Sequence, residues 1–276
     1  MKKISVMLLG LFISCLAISQ TTTPYEVYAI KYGSLVHDSL AVRKENDSVS
    51  IDFMVWLIKG NGKSILMDAG YLYSFVSARD FDMIDDFRPD STLQKLSIRN
   101  EDITDIILSY QHLDHVNNID EFPNAQVWVQ KDDYNFFTTT AWQKGGVNSE
   151  FNRKEVRKLI EVHTNGRVTL VEGYNKEIIP GLKMFPGSRQ PVLPQCALVK
   201  TDLGNMALAS DNVWIYYNSS FVTPAPTFGN FDANGYIKSM QRMQMLVADE
   251  KFIMPGYDSA SFSKFPVITE GVIRVR

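Results

Sequence analysis

The stretch Ser109-Tyr110-Gln111-His112-Leu113-Asp114-His115-Val116-Asn117-Asn118 decides how this chain is read. It follows the apolar run Ile106-Ile107-Leu108 and sets His112, Asp114 and His115 within four residues. Borderline-soft divalent metals such as zinc take nitrogen and carboxylate ligands. A strand that ends in a tight loop presents such ligands together, so Asp105 to Leu108 is read as the strand that delivers this loop.

Outward from the loop, strands and helices come in two runs. Upstream, Tyr25 to Tyr32 and Ser48 to Lys59 read as strands, and Val49, Ile51, Phe53 and Val55 alternate on one face. Gly60-Asn61-Gly62 predicts a hairpin turn. Ser64 to Met67 is the return strand, ending at Asp68-Ala69-Gly70. Ser91 to Asn100 predicts a short helix with Leu93 and Leu96 three apart. Ala125 to Gln130 reads as a strand, and residues 131 to 160 as two helical pieces.

In the second half, Val168 to Glu172, Lys183-Met184-Phe185, Cys196 to Thr201 and Asn205 to Ala209 read as strands, with a turn at Leu203-Gly204-Asn205. Ala233 to Ala248 predicts a helix capped by Asp232, with Ile237, Met240, Gln244 and Val247 on one face. Lys251 to Pro255 is a late strand. Gly62-Lys63-Ser64 imitates the tail of a phosphate-binding loop, but Leu57 stands where that loop needs its first glycine, which argues against nucleotide binding. The pattern is that of an α+β chain, with one domain over residues 20 to 276.

The net charge of -3 gives no reason to expect nucleic acid or an anionic membrane surface as partner. Lys2 and Lys3 precede an apolar stretch from Ile4 to Ile18, and Ala17-Ile18-Ser19 fits a signal peptidase site. The stretch is short for a membrane span, which needs about 20 residues. Residues 1 to 19 are therefore read as a signal peptide, and the chain as an exported bacterial protein, periplasmic or secreted. A lipoprotein box at Phe12-Ile13-Ser14-Cys15 is the alternative. Cys196 is then the sole remaining cysteine; it lies in a strand and reads as an inert core thiol.

The loop resembles the metal-binding signature of the metallo-β-lactamase superfamily, His-x-His-x-Asp-His after an apolar strand, with Tyr110 at the first histidine position. The likeness is to the N-acyl homoserine lactonase-like branch and covers roughly residues 50 to 262. It implies an αββα sandwich and a two-metal site built from five histidines and two aspartates. This chain has only His37, His112, His115 and His163. By the resemblance, Ser210-Asp211 matches a Gly-Asp pair whose aspartate bridges both metals. Phe185-Pro186-Gly187-Ser188 puts serine, and Met254-Pro255-Gly256-Tyr257-Asp258 puts tyrosine, where the branch has histidine. Asp68 matches a group that orients a ligand, and Trp214 replaces a phenol that polarises the substrate carbonyl.

The first metal site thus keeps only His112, whereas the second keeps Asp114, His115 and Asp211, with Tyr257 able to supply an oxygen. The expectation is one divalent metal, with zinc favoured and iron as the alternative if the phenols bind as phenolates. Asp211 or Asp114 would act as general base, and Tyr110 or Tyr257 would donate to the oxyanion. The resemblance implies a small-molecule acyl substrate such as a lactone or ester. The competing expectation is a catalytically silent small-ligand-binding protein, walled by Trp214, Tyr216, Tyr217 and Phe185. The oligomeric state is left open.

Overall fold

A computed structural model describes residues 23–37, 49–71, 85–86, 88–146, 151–187, 194–226 and 232–276. Residues 1 to 19, the expected signal peptide, and Ser188 lie outside the described residues.

In chain order the strands are β1 (Glu26–His37), β2 (Val49–Gly60), β3 (Lys63–Met67), β4 (Asp85–Asp86), β5 (Asp105–Leu108), β6 (Gln126–Gln130), β7 (Val168–Val171), β8 (Lys176–Ile179), β9 (Leu182–Pro186), β10 (Gln195–Thr201), β11 (Gly204–Ser210), β12 (Ile253–Pro255), β13 (Val267–Thr269) and β14 (Val272–Arg274). The helices are α1 (Pro89–Lys95), α2 (Leu113–Val116), α3 (Lys131–Thr138), α4 (Arg153–Thr164), α5 (Tyr216–Phe221), α6 (Ala233–Leu246) and α7 (Ser261–Lys264). One sheet runs β13-β14-β1-β2-β3-β5-β6-β7 with β4 against β1, and the other runs β12-β11-β10-β9-β8.

Strand β2 shows why these sheets stack. Every residue from Ile51 to Ile58 is buried, which marks a strand covered on both faces. Ile51, Phe53, Val55 and Leu57 face a layer that includes Leu93 of α1, Val116 of α2, Phe137 of α3 and Val156, Leu159 and Val162 of α4. Met54, Trp56 and Ile58 face the second sheet, meeting Leu182, Met184, Val199, Met206 and Leu208 among others. On the far side of that sheet, Phe185, Cys196, Leu198 and Ala207 pack under Tyr236, Met240 and Met243 of α6. The layers are therefore helix, sheet, sheet, helix, as the sequence implies. Among the described residues no helix is long and apolar enough to cross a membrane.

The hairpin between β2 and β3 turns on Asn61 (φ 51°) and Gly62 (φ 74°), a two-residue turn with both residues left-handed. Three expectations shift. Helix α1 starts two residues early, with Pro89 in its first turn, and the chain passes through a left-handed Ser97 soon after it ends. Strand β8 has no counterpart in the sequence reading, because four residues with two exposed lysine and glutamate side chains carry little periodic signal. In α6 the buried face is Tyr236, Ser239, Met240 and Met243, rotated from the expected stripe. That rotation lets the Tyr236 hydroxyl accept the Trp214 N–H at 3.0 Å, while Gln244 turns outward to the Ser219 carbonyl and Glu250.

Cys196 is buried, and that burial pushes its thiol up to about 12. Thiolate is the reactive form. Iodoacetamide at pH 8 is therefore expected to leave native Cys196 unmodified and to alkylate it fully in denaturant. Stoichiometric labelling of the native protein would contradict this packing.

Candidate functional site

The site forms where parallel strands end. β3 and β5 run parallel and stop before Asp68 and Ser109. β11 and β12 run parallel in the other sheet and stop beside Asp211 and Gly256. Ends of parallel strands leave a crevice that loops fill with functional groups.

The 109–118 loop is tied down by its backbone. The His115 carbonyl accepts the Ala69 N–H at 2.8 Å, and the buried Tyr32 hydroxyl donates to the Asp114 carbonyl at 2.7 Å. On the other wall, Gly256 N–H donates to the Val213 carbonyl and Tyr257 N–H to that of Trp214. A Cβ at position 256 would lie 2.8 Å from the Ser210 carbonyl, so only glycine lets the two strand ends close up. The Tyr257 ring packs edge-on against Phe53 and Trp214, each with centroids 5.8 Å apart.

These constraints bring Asp114, His115, Asp211 and Tyr257 together. Tyr257 Oη lies 3.0 Å from Asp114 Oδ2, 2.9 Å from His115 Nε2 and 2.5 Å from Asp211 Oδ1. His115 Nε2 lies 3.3 Å from Asp114 Oδ2 and 3.3 Å from Asp211 Oδ1. All four side chains are buried. The other face of His115 meets Asp68: Nδ1 lies 2.9 Å from Asp68 Oδ2.

The electrostatics follow from burial among carboxylates. Desolvation alone would lower the His115 pKa, but Asp114, Asp68 and Asp211 outweigh it and hold the imidazole well above its ordinary value. Burial raises the Tyr257 phenol, and the charges of Asp114 and Asp211 push it further up. Burial opposes ionisation of Asp114, yet His115 and His112 keep its carboxyl well below the usual carboxylate range. His112 is raised: desolvation works against it, but the Asp114 charge and hydrogen bond prevail.

The donor set fits one metal ion on two grounds. Tetrahedral ligands at about 2.0 Å from a zinc stand about 3.3 Å apart, and the contacts above are 2.5 to 3.3 Å. Proton counting agrees: the phenol brings one proton and Nε2 at most one. Two protons bond the cluster only by being shared among its five contacts, three through the phenol and two ion-pair contacts at 3.3 Å, whereas a cation at their common focus would serve all five. The phenol is needed for this. Among the described residues no group of three or more His, Cys, Asp or Glu side chains is arranged to hold a metal by itself.

The two described first-site positions, Tyr110 and His112, do not close in this way. His112 Nδ1 is 2.5 Å from Asp114 Oδ1, and the Tyr110 ring stacks on the His112 ring with centroids 6.1 Å apart. His163 pairs with Tyr134 Oη at 2.5 Å, away from this cluster. Two expected pocket walls lie elsewhere. Phe185 is core beneath α6, because its strand face is the outer one. The Tyr216 ring lies under Lys264, 3.2 Å from Nζ to centroid. Three supporting residues had no signature in the sequence: Tyr32, Ser109 and the Ser210 hydroxyl.

Comparisons with known proteins agree with this architecture. The model of the metallo-beta-lactamase superfamily matches residues 54–174. An N-acyl homoserine lactonase of Bacillus cereus is 22% identical over 172 residues, a span that covers 62% of either chain. A quorum-quenching N-acyl homoserine lactone lactonase superposes with a TM-score of 0.70 at 21% identity, covering 89% of this chain and 97% of that one. A dizinc quorum-quenching lactonase gives 0.63 at 17% identity, over 86% and 89% of the two chains. A probable metal-dependent hydrolase from Staphylococcus aureus gives 0.67 at 14%, over 86% and 90%. The family model over residues 54–174, the sheet order and the loop sequence agree in likening this chain to the metallo-β-lactamase superfamily and to its N-acyl homoserine lactonase-like branch, with Tyr110 and Tyr257 standing where that branch's metal motif has histidine.

Proposed function

We propose that the chain is an exported metal-dependent hydrolase of a lactone, ester or similar acyl substrate, working with a single metal ion, most simply zinc. The observation that carries this reading is the convergence of Asp114 Oδ2, His115 Nε2, Asp211 Oδ1 and Tyr257 Oη on one point. The relatives that share the fold include lactonases, which supports the acyl substrate class. Export rests on Lys2, Lys3 and the apolar stretch up to Ala17-Ile18-Ser19.

A metal bound here would lower the pKa of a water ligand to about 7 and polarise the acyl carbonyl. The protein's residues do the rest. Asp68 holds His115 in one tautomer, with the proton on Nδ1 and the Nε2 lone pair turned to the cluster. Asp211 accepts the proton from the attacking water as general base, with Asp114 held ionised beside it by His115 and His112. Tyr110, its ring against His112, supplies the phenolic proton for the developing oxyanion. Tyr257 is engaged by three partners and serves to hold the site.

One observation favours a second reading, a catalytically silent binding protein on the same scaffold. Tyr257 Oη already stands within hydrogen-bond reach of all three neighbours, so the cluster has a bonded form of its own. A panel of lactones and esters separates the two. Hydrolysis that disappears after chelation and returns with zinc is the expected outcome. Hydrolysis that survives chelation defeats the metal-hydrolase reading, and inactivity with no metal bound favours the silent binder.

A further inference from the structure

Ser210 stands where the lactonase-like branch has glycine, and its backbone shows why glycine suits the place. Its φ is 46°, in the left-handed region that side chains disfavour. It is 3% exposed, and Gly256 packs directly against its carbonyl, so the residue has no room to relax. A serine kept under such strain needs a contact that offsets it.

That contact is visible. Ser210 Oγ lies 2.7 Å from Ser109 Oγ and 3.2 Å from Asp68 Oδ2, its one proton shared between these two acceptors. Asp68 is itself left-handed at φ 66°. Its Oδ1 accepts the Ser109 N–H at 2.8 Å, and its Oδ2 also takes the Ser109 hydroxyl at 2.7 Å and His115 Nδ1 at 2.9 Å. Ser210 thus comes from the end of a strand in one sheet and grips the Asp68–Ser109 pair at strand ends of the other.

We propose that Ser210 is a positioning residue: its hydroxyl fixes the Asp68 carboxylate across the sheet interface and so aims His115 Nε2 at the common focus of Asp114, Asp211 and Tyr257. This goes beyond the single-metal reading and rests on it for one of its two readouts. With glycine at 210 the backbone strain is relieved, but Asp68 loses a donor and His115 loses part of its anchor.

The test compares Ser210→Gly with Ser210→Ala, since glycine removes strain and hydroxyl while alanine removes the hydroxyl alone. Zinc affinity is read by competition with a chromophoric chelator, and solvent exchange of the His115 Nδ1–H by NMR on the metal-stripped protein. Both variants should weaken zinc binding on the order of 10-fold and exchange the His115 proton faster than wild type. Wild-type zinc affinity and unchanged exchange in either folded variant would overturn the proposal. Faster exchange in the variants of a protein that binds no zinc would refute the single-metal reading while upholding the role of Ser210.

Discussion

Replacing Asp211 with alanine is expected to lower kcat/KM for the acyl substrate by on the order of 100-fold or more, with the protein still folded. Asp211 Oδ1 sits 2.5 Å from Tyr257 Oη and 3.3 Å from His115 Nε2, at the end of β11. It is therefore both a donor in the proposed site and a carboxylate base beside any water bound there. Asp211→Asn keeps the shape and an acceptor oxygen but removes the charge, so it should fall almost as far. Steady-state kinetics checks both variants, with circular dichroism to confirm folding. Activity within a few-fold of wild type in Asp211→Ala would remove the carboxylate from the mechanism.

The second large effect is expected at Tyr257. Its hydroxyl touches Asp114, His115 and Asp211 together. Tyr257→Phe removes that oxygen and takes one partner from each of three buried polar groups. Metal affinity should fall at least about 10-fold, and the metal-stripped protein should lose about 1–3 kcal/mol of stability. Tyr257→His restores the imidazole of the lactonase-like motif and should bind zinc more tightly than Tyr257→Phe. Zinc titration and urea unfolding measure the two effects. Unchanged zinc affinity in Tyr257→Phe would show that the phenol is a spacer and not a ligand.

The sequence made some of this architecture legible and hid the rest for identifiable reasons. Strand β5 and the loop after it could be read outright, because Ile106-Ile107-Leu108 and His112-Leu113-Asp114-His115 carry their signal within ten residues. The alternation of Val49 to Val55 gave one face of β2; that the strand is covered on both faces is seen only in its continuous burial. Asp211 and Tyr257 were reached by family likeness; no local feature distinguishes either from a turn aspartate or a core tyrosine. The bond between Ser210 and Asp68 spans 142 residues of sequence and had no periodic or motif signature. The face of α6 was set by Tyr236 reaching the Trp214 backbone, a tertiary contact that helical periodicity does not encode. The walls assigned to Phe185 and Tyr216 failed for the same reason: side-chain direction at a strand end depends on which sheet face is covered.

The same geometry accounts for the uneven loss of ligands. Tyr110 and His112 stack with each other at the first-site positions, whereas Tyr257 reaches into the second cluster and meets all of its members. A longer side chain in place of histidine therefore keeps an oxygen among the donors of one site only.

Metal content tests this most directly. Elemental analysis of the full chain, purified without added metal, is predicted to find one metal ion per chain in the wild type and none in Asp211→Ala. A wild-type protein with no metal, or with two ions per chain, would contradict a single site formed by Asp114, His115, Asp211 and Tyr257.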